Sequence, residues 1–294
     1  MKKILVTGAN KGIGLGIVTR LISSFPDTFV FLGCRDAEKG RSAIECLGRE
    51  CADWIERLCL LEMDVTDQNS AKLAASKVRE DLNMDGTFLY AIVNNAGIAH
   101  SDDGVAPIIE VNTLGPKRVF EEFFDLIDPI KGRIVNVTSA SGPNYLSHCD
   151  EHIRKKLTNQ NVTWDEIANL IENFLNEYED LSPDGKATLY SNVYGFSKAC
   201  TNALTMYLAS SHSNLIINSC TPGFIDTDLT QPYVAERGLT PIEMGMKKPI
   251  EGAVSSIHLL MEEKIGSGFY YGSDCVRSPL DRYRSPGDPA YQGD

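Results

Sequence analysis

Residues 7–14 read Thr7-Gly8-Ala9-Asn10-Lys11-Gly12-Ile13-Gly14. Before them, Lys3 to Thr7 is a short apolar run that reads as a buried strand. After them, Ile13, Ile17, Val18, Leu21, Ile22 and Phe25 recur at helical spacing until Pro26-Asp27 stops the helix. The order is therefore strand, glycine-rich turn, helix. Glycines there permit a tight turn and let backbone amides approach a pyrophosphate, and the helix N-terminus adds the positive end of its dipole. The stretch predicts a dinucleotide cradle with Gly8, Asn10, Lys11, Gly12, Ile13 and Gly14 as cofactor contacts.

Strand and helix patterns keep alternating beyond this turn. Thr28–Leu32, Arg57–Met63, Phe88–Val93, Arg133–Thr138, Leu215–Cys220 and Gly268–Tyr271 read as further strands. Asp36 and Asp67 can cap the helices that follow strands two and three. Helices are expected around 106–128, 190–211 and 249–263. Such alternation predicts an α/β fold, one doubly wound parallel sheet of about seven strands covered on both faces.

Two stretches break the rhythm. Residues 144–189 insert a long segment before the helix at 190–211. Thr163 and Glu166 make a capping box there, and Ile167, Leu170, Ile171, Phe174, Leu175 and Tyr178 follow at helical spacing. The insert is thus expected to contain an amphipathic helix. Residues 277–294 carry Arg, Ser, Pro, Gly and Asp with little periodicity and read as a mobile tail. Residues 1–276 are expected to form a single domain.

Composition narrows the function classes. The chain has 294 residues, 28 Lys plus Arg against 40 Asp plus Glu, and a net charge of −12. That balance argues against nucleic acid or an anionic membrane as partner. No apolar run approaches the length of a bilayer span, and Thr7-Gly8 cuts the N-terminal run too early for a signal peptide. The mature chain is expected to begin here. Eight cysteines show no Cys-x-x-Cys spacing, and the five histidines do not fall beside them in zinc-ligand order. Free thiols in a reducing, cytoplasmic compartment and no metal are the expectation.

Three further features carry chemistry. Strand two ends Gly33-Cys34-Arg35-Asp36, where NAD-selective folds usually hold an acid for the ribose 2′-hydroxyl. Arg35, with Lys11, can hold a 2′-phosphate and so predicts NADP; the other reading makes Arg35 a solvated charge and Asp36 the ribose ligand. Tyr194 and Lys198 stand four apart and share a helix face, where the ammonium would favour the phenolate. Taken alone, the pair reads first as surface. Ser139 ends strand five, at the carboxyl edge where open α/β sheets bind ligands.

Together these residues resemble the short-chain dehydrogenase/reductase superfamily, Rossmann-fold enzymes with a Ser-Tyr-Lys centre. Asp64-Val65 resembles its adenine-binding pair, Asn94-Asn95-Ala96-Gly97 the motif after strand four, and Pro222-Gly223 with Thr227 the nicotinamide-side motif. Asn112, Ser139, Tyr194 and Lys198 match the catalytic tetrad in order, and the likeness spans residues 3 to 272. It implies NADP(H) bound by the glycine turn, Arg35, Asp64, Val65, Asn95, Ala96, Gly97, Tyr194, Lys198, Pro222, Gly223 and Thr227. It implies that Tyr194 donates the proton, Ser139 positions the carbonyl, Lys198 holds the nicotinamide ribose and, with the oxidised ring's charge, lowers the Tyr194 pKa, and Asn112 anchors a water.

Ser139 and Tyr194 stand 55 positions apart (139 to 194), far more than in most members. The insert resembles that of the carbonyl reductase branch and related plant menthone and salutaridine reductases. That likeness implies a cytosolic, monomeric, NADPH-dependent enzyme acting on a small-molecule ketone, aldehyde or quinone. Residues 224–248 are expected to form a substrate lid, with Ser139, Tyr194 and Phe224 against the substrate and Tyr233, Met244 and Met246 lining the lid. Cys220 lies near the nicotinamide end and reads first as a buried strand thiol. Two alternatives stay open: NADP-dependent oxidation of a secondary alcohol, and a non-catalytic NADP-sensing or scaffold protein on the same fold.

Overall fold

A computed structural model describes residues 1–293 of the chain. Eight strands form one sheet: β1 (Lys2–Val6), β2 (Thr28–Cys34), β3 (Leu58–Glu62), β4 (Leu89–Asn94), β5 (Arg133–Val137), β6 (Ile216–Cys220), β7 (Tyr270–Tyr271) and β8 (Arg277–Ser278). Their order is β3-β2-β1-β4-β5-β6-β7-β8. All pairs are parallel except β7 with β8. The chain thus starts in the middle, winds out to β3, then returns to wind the other way. The switch between β1 and β4 opens a crevice at the carboxyl ends of the strands.

Helices α1 (Gly12–Ser24), α2 (Ala37–Glu50), α3 (Gln68–Asp85), α4 (Ala106–Ile109) and α5 (Gly115–Phe123) fill the first crossovers, with a π-helical turn at Glu110–Leu114. Asp36 and Asp67 cap α2 and α3 through backbone amides, as the sequence predicts. Two apolar cores lie on the two faces of the sheet. One gathers Ile17, Val18 and Leu21 of α1 with Leu259 and Leu260; the other gathers Val119 and Phe123 of α5 with Phe196 and Leu204.

The insert supplies α6 (Ser141–His148), α7 (Glu151–Leu157) and α8 (Trp164–Asp180), the last with both halves of its Thr163–Glu166 capping box. α9 runs Pro183–Ser211, so it starts about two turns before the expected 190. Ser182 caps it and Pro183 takes its first position, where a missing N–H costs nothing. Phe174 of α8 stacks on Phe196 with ring centroids 4.2 Å apart, which seats the insert on the middle of α9.

Later come α10 (Gln231–Arg237), α11 (Pro249–Gly252) and α12 (Val254–Met261). The expected sheet of about seven strands is present, with an eighth, antiparallel strand at its edge. One expectation differs. The tail from 277 is seated, not loose: Arg284 is buried, pairs with Asp274, and donates to Ser278 Oγ at 2.9 Å and the Asp288 carbonyl at 2.6 Å. One guanidinium fork so satisfied can order a stretch without apolar periodicity. Asp294, the end of that stretch, lies outside the described residues.

Candidate active site

The crevice holds a cavity of about 550 Å³. Of the expected cofactor contacts, Gly8, Asn10, Lys11, Gly12, Ile13, Arg35, Asp64, Val65, Asn95, Ala96, Gly97 and Thr227 line it. Gly14, Tyr194, Lys198, Pro222 and Gly223 are absent from that lining. A Cβ on Gly14 would stand 2.3 Å from the Gly8 carbonyl oxygen and 2.5 Å from Asn95 Nδ2, so the turn closes only on glycine. Gly8 has φ +61° and its Cβ would meet the Ala96 backbone at 2.9 Å. Asn95 clamps the turn by donating from Nδ2 to the Thr7 and Gly8 carbonyls at 2.9 and 3.1 Å. Thr7 Oγ1 accepts from the amides of Asn95 and Ala96, both at 3.0 Å, a role the sequence analysis did not assign.

A dinucleotide phosphate fits this cradle. α1 starts with no side-chain cap and no acid in its first turn, so its N-terminal amides and dipole meet the cavity without competition. Arg35 is exposed on the rim, with no ion pair among the described residues. Asp36 is otherwise engaged: Oδ1 accepts from the amides of Glu38 and Lys39, and Oδ2 lies 3.2 Å from Lys39 Nζ. Those bonds hold its carboxyl below the usual range. Of residues 35 and 36, Arg35 lines the cavity and Asp36 does not. Lys11 is less free than expected, since its Nζ pairs with Asp228 Oδ2 at 2.5 Å.

Beyond Gly97 the expected quartet converges. Lys198 Nζ donates to the Val137 carbonyl at 3.1 Å and lies 5.7 Å from the centre of the Tyr194 ring. Ser139 Oγ donates to Ser141 Oγ at 3.2 Å and accepts from the Ser141 amide at 3.1 Å, and its hydroxyl acts to lower the Tyr194 phenol. Asn112 sits in the π-helical turn, where the extra residue turns its amide toward α9. Its Oδ1 accepts from the Ile98 amide at 2.9 Å, and Nδ2 donates to the Ile98 carbonyl and to Ser197 Oγ at 2.9 and 3.0 Å. A Cβ on Gly97 would lie 3.2 Å from Asn112 Oδ1 and 3.3 Å from Lys198 Nζ, so both side chains abut the cavity wall there.

Burial sets the charges of the pair. It lowers Lys198 to about 8, which leaves the ammonium mostly charged at neutral pH. It raises the Tyr194 phenol, against the pull of the Ser139 hydroxyl. The sequence reading expected Lys198 to lower the phenol. That expectation includes the charge of an oxidised nicotinamide; in the protein alone desolvation is the largest influence on the phenol.

The far rim is residues 224–248. Ile225 bridges Lys247, which brings the segment back beside its start. Asp226, Thr227, Asp228, Leu229 and Pro232 border the cavity from this side. Phe224 meets Tyr233 edge-on at 6.1 Å, and both are exposed. Neither Phe224, Tyr233, Met244 nor Met246 borders the cavity itself. Sequence reasoning missed Met63, Ile98, Ala99, His100 and Val111 on its wall. For residues 98–100 the available signal was their place directly after the strand-four motif. The cysteines are all free, and burial pushes the Cys220 thiol up to about 11. Among the described residues there is no cluster able to hold a metal ion and no helix long and apolar enough to cross a membrane.

A family model described as short chain dehydrogenase matches residues 2–149, half of the chain. Carbonyl reductase (NADPH) 1 of Bos taurus is 29% identical over 270 residues, covering 87% of this chain and 90% of that protein. Carbonyl reductase (NADPH) 3 of Mus musculus is 28% identical over 259 residues, covering 84% and 88%. Among solved structures, salutaridine reductase from Papaver somniferum is similar at TM-score 0.76 and 25% identity, over 92% of this chain and 99% of that one. An NADPH-bound carbonyl reductase from chicken fatty liver shares the fold at TM-score 0.66 and 24% identity, over 95% and 99%.

Proposed function

Because the chain belongs to the short chain dehydrogenase family, we propose that it uses NADPH to reduce the carbonyl of a small ketone, aldehyde or quinone to the alcohol, with Tyr194 as proton donor. The carrying observation is the convergence of Ser139, Tyr194 and Lys198 beside a cavity whose lining includes Arg35. Bound NADPH supplies the hydride that the carbonyl carbon takes up.

The chain's own residues do the rest. Burial keeps the Tyr194 phenol protonated until substrate arrives, which suits a donor. Its Oη gives the proton to the carbonyl oxygen while Ser139 Oγ donates a hydrogen bond to the same atom. As the proton leaves, the charged Lys198 beside the ring stabilises the phenolate. Lys198 then passes a proton back. Asn112 has spent both amide protons on Ile98 and Ser197, and its backbone carbonyl accepts from Thr201 Oγ1 at 2.7 Å. A water joining Asn112 to Lys198 therefore uses the remaining lone pair of an Asn112 oxygen. The same proposal takes residues 1–276 as one reductase domain with 224–248 as its lid, working as a cytoplasmic monomer.

The test is NADPH oxidation, followed by absorbance, across ketones, aldehydes, quinones and cyclic terpenoid ketones, with an NADH control. Tyr194→Phe should lower kcat about 1,000-fold while still binding NADPH. No turnover on any carbonyl, or a Tyr194→Phe variant close to wild type, sinks the proposal.

A further inference from the structure

One side chain on the cavity wall has no part in the scheme above: His100, on the segment that leaves β4. A single hydroxyl ties this segment to α9. Tyr190 Oη accepts from the Ser101 amide at 2.8 Å, donates to the Ser101 carbonyl at 2.9 Å and lies 2.7 Å from His100 Nδ1. The two rings meet edge to face with centroids 5.7 Å apart. Across the imidazole, Nε2 lies 3.1 Å from Asp102 Oδ1, so the ring is oriented from both sides. A phenol has one proton and two lone pairs: with the neutral imidazole's N–H turned to Asp102, Tyr190 accepts from the Ser101 amide and its one proton serves the Ser101 carbonyl and His100 Nδ1 between them.

The position of this tie matters. Tyr190 stands four residues before Tyr194, so the two phenols share a face of α9. Three residues before His100, Gly97 abuts Lys198 and Asn112. Behind the segment, the ring of Tyr178 from α8 would stand 3.4 Å from a Cβ on Gly104. The insert thus backs the same wall that Tyr190 fastens. We propose that Tyr190 is a positioning residue: it fixes the segment 98–102 against the helix of Tyr194 and so presents His100 to the carbonyl substrate, without a part in holding NADPH. This rests on the reductase reading.

Tyr190→Phe keeps the ring and removes the hydroxyl. Amide exchange at Ser101 is the first readout and needs no turnover; it should quicken at least about tenfold once the N–H loses its acceptor. In steady state, KM for the best carbonyl should rise roughly tenfold, with kcat and the NADPH Kd within about twofold of wild type. His100→Ala should raise KM by a similar factor, and the double variant should be no worse than either single one, because the two act as a unit. Unchanged Ser101 exchange overturns the tie. Faster exchange with unchanged KM, a loss confined to kcat, or additive losses overturns the positioning role. A wild-type protein that reduces no carbonyl ends the reductase reading and this role with it, while Ser101 exchange still reports whether the tie exists.

Discussion

The glycine turn at 8–14 and the rim at 224–248 face each other across one cavity, yet they are built on different terms. In the turn, space is set by backbone: the atoms nearest a Cβ on Gly8 or Gly14 include the Ala96 backbone and the Gly8 carbonyl oxygen. Asn95 and Thr7 fasten that backbone from behind. The rim hangs on a bridge at Ile225–Lys247 and leaves Phe224, Leu229, Tyr233, Leu239 and Ile242 exposed together. A cluster of exposed apolar side chains on one segment marks a surface that meets something. A site that always binds the same coenzyme can afford a wall with no slack. On the proposal that 224–248 is the substrate lid, that wall works through side chains, which can be exchanged without disturbing the fold.

Substitutions test that contrast, and the steepest is in the turn. Gly14→Ala should cost about 1–3 kcal/mol of stability from overpacking and weaken NADPH more than about 100-fold, read by thermal unfolding and by coenzyme titration. A variant that binds NADPH like wild type would show that the turn has slack after all. Arg35→Ala comes next. Losing one charge-assisted contact should raise the NADPH Kd roughly 10- to 100-fold and leave NADH unaffected. An equal loss for both coenzymes would assign Arg35 to the common part of the molecule and remove its role in selectivity.

The same contrast explains what the sequence disclosed. The turn, the strands on either side of it and the caps Asp36 and Asp67 were legible because each depends on local rules: a period, a cap, a glycine where no Cβ fits. The order of Ser139, Tyr194 and Lys198 was legible through its likeness to a family. Their burial was not, because burial is tertiary, and it raises the Tyr194 phenol in the protein alone. The first two turns of α9 carry no apolar stripe, so their helix was hidden even though Ser182-Pro183 marks its start. β8 is two residues long and Arg284 is buried by partners at 274, 278 and 288, none of which a periodic pattern can announce. The Tyr190 tie spans 89 positions to Ser101 and exists only once the insert is folded.

The smallest effect concerns an ion pair that crosses from turn to rim. Lys11 was expected to serve the 2′-phosphate, and it stands instead 2.5 Å from Asp228, both side chains being largely exposed. Such a pair contributes little to the fold, since water and salt screen it. Its weight falls on Lys11, whose charge Asp228 holds away from a phosphate. Asp228→Asn should therefore leave thermal unfolding unchanged and tighten NADPH by about two- to threefold at low salt. The gain should vanish near roughly 0.5 M salt, where screening is complete within a few ångströms, and NADH should not respond at all. Weaker NADPH binding in Asp228→Asn would mean the reverse: the pair latches the rim onto the turn, and the two walls bind coenzyme as one.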